Sequence, residues 1–138
     1  PLSISPPGQG GRPLVRTILG IDETARTMTF AGDIPQGWEA RLMRSSPERL
    51  IDSAAAAARQ SLAAVAGGPA LVVSVSCVGR RLVLGERTEE ELESALEGAP
   101  AGSVHVGFYS YGEIAPAAEG EGCQLHNQTM TTTTFSEA

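Results

Sequence analysis

Along this chain, apolar and polar positions alternate with period two in some stretches and recur at helical spacing in others. Gly, Pro and Asp separate them. Leu14-Val15-Arg16-Thr17-Ile18-Leu19 is β-rich and stops at Gly20. Thr27–Phe30 is a second short strand, and Trp38–Arg44 alternates as a half-buried third. Three short strands with tight polar turns predict an antiparallel meander. Ser45-Ser46-Pro47-Glu48 then starts a helix: a serine caps the free N–H groups, Pro47 suits the first turn, and Glu48 faces the positive dipole end. Its body is expected to run to about Ala66, with Ile51, Ala55, Ala58, Leu62 and Val65 on one stripe. Gly67-Gly68-Pro69 ends it, and the Ala54–Ala58 run allows a close neighbour.

Ala70–Cys77 reads as a central strand with one face on the helices; Leu71, Val73, Val75 and Cys77 share one side, and Val72, Ser74 and Ser76 the other. Leu82-Val83-Leu84 is open between strand and helical turn. Thr88 with Glu91 reads as a capping box for a helix striped by Leu92, Ala95 and Leu96. In the next strand Val104, Val106 and Phe108 are expected to pack on the core, sending His105, Tyr109, Tyr111 and Glu113 the other way. Cys123–Phe135 reads as one long final strand, its threonine run high in β-propensity. The predicted fold class is α+β: a mostly antiparallel β-sheet with two packing helices, in the order β-β-β-α-β-α-β-β. Residues 1–13, rich in Pro, Gly and Ser, are expected to be a linker or the tail of a preceding element, and 14–138 the folded domain.

Composition narrows the function classes. At 138 residues, with 41% hydrophobic and 19% charged positions, this is one ordinary globular domain. Aromatics are 4%, so the core is expected to be lean in large side chains. The net charge is −6, and no basic cluster exceeds Arg80-Arg81, which argues against a nucleic-acid partner. No run of 18 apolar residues predicts a membrane span, and no charged-then-apolar leader is visible. Starting at Pro1 without Met, the sequence is expected to be an excised domain. Cys77 and Cys123 are expected to be reduced thiols in a cytoplasmic protein.

Versatile side chains crowd into Gly107–Phe135. If the last two strands form a hairpin, Tyr109, Tyr111 and Glu113 approach a polar set from Leu125–Thr129. A patch of Tyr, Glu, His, Asn and Gln suits small zwitterions or amides: Glu113 for an ammonium, Arg80 for a carboxylate, Asn127 for either. The candidate ligand-binding residues are Cys77, Arg80, Tyr109, Tyr111, Glu113, His126, Asn127 and Thr129. The same residues also fit a hydrogen-bond network tying strand ends to a loop. Cys77 with His126 is a candidate thiol nucleophile and base, with Arg80 lowering the thiol pKa. Cys123-x-x-His126 is a weak metal signal, and no metal is expected.

The segments Phe108-Tyr109-Ser110-Tyr111-Gly112-Glu113-Ile114-Ala115-Pro116, Leu125-His126-Asn127-Gln128-Thr129-Met130 and Ser76-Cys77-Val78-Gly79-Arg80-Arg81 together resemble the C-terminal domain of FIST sensory proteins. Leu14–Gly20 and Gly32–Gly37 fit the same pattern. The resemblance implies a bacterial-type, cytoplasmic, non-enzymatic sensory input domain that binds a small ligand such as an amino acid. It also implies a FIST N-terminal domain upstream as partner. Two alternatives follow: a haem-binding nitric-oxide sensor module, and a thiol-dependent enzyme using Cys77.

Overall fold

The computed structural model describes residues 1–8, 12–63, 65, 67–116, 120 and 122–137. Its strands are β1 (Leu2–Ser5), β2 (Leu14–Arg16), β3 (Ile18–Asp22), β4 (Thr27–Phe30), β5 (Glu39–Leu42), β6 (Ala70–Cys77), β7 (Val104–Ser110), β8 (Glu113–Pro116), β9 (Cys123–His126) and β10 (Met130–Ser136). Its helices are α1 (Pro47–Leu62), α2 (Val78–Leu84) and α3 (Thr88–Leu96), the last two joined by a 3-10 turn. The class is α+β and the pairing mostly antiparallel. Two three-stranded sheets, β2-β1-β5 and β10-β6-β7, are accompanied by the hairpins β3-β4 and β8-β9. The exception is the parallel pair β6-β7, whose crossover carries α2 and α3.

The N-terminal residues correct the expected linker. Leu2-Ser3-Ile4-Ser5 alternates apolar and polar, and it forms the middle strand between β2 and β5. Ile4 is fully buried there. Gln9, Gly10 and Gly11 lie outside the described residues. The expected meander is corrected for the same reason: β3 pairs with β4, but β5 pairs with β1. β5 is consequently an edge strand, exposed along its length rather than half-buried.

α1 begins as expected, with Ser46 Oγ accepting from the Arg49 N–H and Pro47 in the first turn. It closes at Leu62, where the Ala63 N–H donates to the Arg59 carbonyl. The expected end at Ala66 lies outside the described residues. The buried stripe is Leu50, Ala54, Ala55 and Ala58. Alanines let α1 lie close against α3 and β10, and Ala54, Ala58, Ala95 and Met130 form the core cluster.

Three further expectations change. The segment left open at 82–84 is helical. The Thr88–Glu91 capping box does not form: Arg87 is the N-cap, Thr88 Oγ1 donates to the Gly85 carbonyl, and Glu91 turns into the interior. The long final strand is two strands, because Gln128 takes a left-handed conformation (φ 55°) between β9 and β10. The faces of β7 are also inverted. Val104, Val106 and Phe108 are 47–63% exposed, whereas His105 and Tyr109 lie on the better-buried side with Ser74 and Ser76. Helices α1 and α3 cover the polar side of this sheet, and its apolar side is open.

Candidate functional site

A cavity of about 320 Å³ opens where five separate segments meet. Pro1 and Val15 come from the N-terminal sheet, and Met43, Arg44 and Ser45 from the entry to α1. Arg49, Leu50 and Ser53 come from its first turns, Arg80 from α2, and Gln128, Thr129 and Met130 from the link into β10.

Arg80 is 3% exposed and locked in place. Its Nε and Nη2 reach Glu91 Oε1 at 2.7 and 2.6 Å, Nη2 donates to the Leu50 carbonyl at 2.6 Å, and Nη1 donates to Ser53 Oγ at 3.2 Å. Glu91 is fully buried, and its Oε2 accepts from Ser76 Oγ at 3.1 Å. Two buried charges are tolerated because each has hydrogen-bond partners besides the other.

Thr129 anchors the opposite wall. The Cys77 N–H donates to its carbonyl at 3.0 Å, and its hydroxyl donates to Glu113 Oε2. Glu113 is 3% exposed and also accepts from Ser110 Oγ at 2.5 Å. Its carboxylate therefore sits one hydrogen bond behind the wall. Gln128 packs on Gly79, where a Cβ would come within 3.0 Å of Gln128 Cγ.

Asn127 and His126 have another task. Asn127 is fully buried; its Oδ1 accepts from the Thr17 N–H at 3.3 Å, and its Nδ2 donates to the His126 carbonyl at 3.1 Å. His126 Nε2 lies 3.0 Å from the Ala115 carbonyl across the β8-β9 hairpin. Arg16 ties the same region to β2, donating to the carbonyls of Asp33, Val15 and Leu125 at 2.9–3.1 Å. Burial lowers its pKa, and Asp33 opposes that shift.

Of the eight candidate residues, Arg80 and Thr129 line the cavity together. Glu113 and Cys77 stand behind Thr129, and His126 and Asn127 brace the hairpin. Tyr111 is 85% exposed and does not line the cavity. Tyr109 lies beyond Arg80, with the Arg81 guanidinium 5.2 Å from its ring centre. Burial, and then the charge of Glu91, raises the Tyr109 pKa. Buried Cys77 makes no hydrogen bond to His126, whose Nε2 is engaged by Ala115. Cys123 and His126 gain no third metal-ligating side chain among the described residues.

Sequence reasoning passed over Arg44, Arg49, Ser53 and Glu91, and it placed Gln128 in the polar patch without naming it a binding residue. A signal existed for the two arginines. They flank Ser45-Ser46-Pro47-Glu48, the start of a helix, where the macrodipole disfavours cations. Among the described residues neither has an ion-pair partner, while Glu48 is taken by Arg87 at 2.6 Å.

Haem does not fit this cavity: among the described residues no histidine or cysteine lines it. His105, which is half-buried, meets Ser74 Oγ at 2.8 Å through Nε2, and burial lowers its pKa. No helix among the described residues is long and apolar enough to cross a membrane. No curated protein and no solved structure matches the chain. The FIST C domain family matches residues 1–116, which takes in β1 through β8 and stops short of the Gln128–Met130 wall. On that match the chain belongs to the FIST C domain family.

Proposed function

We propose that this domain is the ligand-input module of a signal-transduction protein, binding a small molecule in the cavity between Arg80 and Thr129 without catalysis. The FIST C family is a sensory type of domain, and the family suggests a FIST N-terminal domain as its partner. The observation that carries the reading is the pre-built wall. Arg80 and Thr129 are each held from behind by a buried carboxylate, so both reach the cavity already oriented. Preorganised polar groups beside apolar Val15, Leu50 and Met130 are the usual composition of a small-ligand site.

Among the described residues no acid–base pair or activated nucleophile lines the cavity. Cys77 is buried behind Thr129, which supports binding rather than thiol chemistry.

The reading is tested by screening amino acids, organic acids, amides and phosphate compounds by thermal shift, followed by NMR. A true ligand at a hundredfold excess over its Kd stabilises by about 2.7 kcal/mol. Its amide shifts cluster on Arg49, Ser53, Gln128 and Thr129. A screen in which no compound raises the melting temperature or moves those amides rejects the proposal.

A further inference from the structure

We infer that the cavity selects a small oxyanion, carrying carboxylate or phosphate groups and no ammonium group. This rests on the reading above that the cavity takes a ligand, and it names the class. Three arginines, Arg44, Arg49 and Arg80, line the space, and no Asp or Glu does so among the described residues. The protein as a whole is acidic, at −6, so the cavity runs against the sign of the molecule.

The two carboxylates that hold the lining residues Arg80 and Thr129 are both occupied. Glu91 lies on the inner side of Arg80, paired with it and with Ser76. Glu113 accepts from Ser110 and Thr129. A zwitterionic amino acid would bring its ammonium to a wall of arginines with no free carboxylate to receive it. Desolvating that group unpaired is costly, so the geometry discriminates against it.

The donors suit an oxyanion. A guanidinium has five N–H hydrogens. Arg80 directs Nε to Glu91, Nη2 to Leu50 and Nη1 to Ser53, and Nη2 also lies 2.6 Å from Glu91 Oε1, so its donors are largely committed. The side chains of Arg44 and Arg49 have no hydrogen-bond or ion-pair partner among the described residues, so their planar forks are free to grip a carboxylate or phosphate. Gln128 and the first turns of α1 also line the cavity, and the helix dipole there adds attraction for negative charge.

The test uses the whole chain and isothermal titration with four probes: succinate, aspartate, inorganic phosphate and phosphoethanolamine. Succinate and aspartate differ by one ammonium group, as phosphate and phosphoethanolamine do in kind. The expected result is that succinate or phosphate binds, and that its ammonium-bearing counterpart binds at least about tenfold more weakly. Succinate against phosphate identifies which oxyanion is read.

Arg44→Gln and Arg49→Gln each weaken the bound probe about tenfold, and binding falls between 50 and 200 mM salt. Both side chains are exposed, so the fold survives the change; Arg80 is left intact because it holds Glu91. Equal affinity for aspartate and succinate overturns the inference. So does unchanged binding in the Arg44→Gln/Arg49→Gln double variant. A neutral amide that moves the Thr129 and Gln128 amides while both anions fail removes the oxyanion and leaves the sensory reading standing. Silence from every class of compound removes both.

Discussion

Removing the Arg80 guanidinium leaves Glu91 fully buried with Ser76 Oγ as its remaining donor. An uncompensated carboxylate in a dry interior is far more costly than a missing ion pair, because the pair's own net contribution is small. Arg80→Met is therefore expected to lose about 3–5 kcal/mol, and Arg80→Met/Glu91→Leu to recover most of it. Urea denaturation at pH 7 measures both, and an Arg80→Met loss below about 1 kcal/mol would show that Glu91 reaches water. The two residues also show what local sequence conceals. Glu91 stands third after Thr88, the spacing of a capping box, and local pattern has no means of seeing that Arg80, eleven residues earlier, competes for it. Arg80 was legible as a site residue because it follows a strand end, whereas Arg44 and Arg49 were passed over because the helix-start pattern between them reads first as a cap.

At the scale of elements, Gly107 decides how closely β7 approaches β6. A Cβ there would lie 2.3 Å from the Ser74 carbonyl oxygen, which is backbone and cannot rotate away. Gly107→Ala is expected to part the parallel pair and lose about 3 kcal/mol. Gly20→Ala, with nothing within 4 Å of the added methyl, is expected to stay within about 0.5 kcal/mol of wild type. Thermal unfolding of the two variants compares them directly, and equal losses would contradict the placement of β7. Element type was readable for much of the chain: the N-cap of α1, the centrality of β6 and the α+β class follow from period and turn chemistry, whereas β1 and α2 did not declare themselves. Pairing and facing were not. Alternation says that Val104, Val106 and Phe108 share a side, but only the position of α1 and α3 decides whether that side is covered. The break between β9 and β10 escaped because Gln128 is not a residue that announces a left-handed turn, and the threonines after it favour strand.

Across the whole molecule, the β10-β6-β7 sheet presents an open apolar side. Leu71, Val104, Val106, Phe108 and Phe135 are each 41–63% exposed there, and Val73 lies between them. The opposite side, under the helices, holds Val72 at 0% exposure. One substitution therefore has two outcomes on adjacent strands. Val72→Thr puts a hydroxyl of nearly the same volume into a dry interface, and is expected to lose about 1–3 kcal/mol. Val106→Thr puts the same hydroxyl where water already reaches and keeps a β-branched side chain in the strand, so its effect is expected to be within about 0.5 kcal/mol. The double variant Val106→Thr/Phe108→Thr should also bind less of the dye ANS, because those side chains form the exposed patch. Denaturant midpoints at low protein concentration measure the contrast. Equal losses at Val72 and Val106 would mean that the apolar side is shielded in solution. The predicted inequality places the buried polar set, Ser74, Ser76 and Glu91, on the side of the sheet that also anchors Arg80.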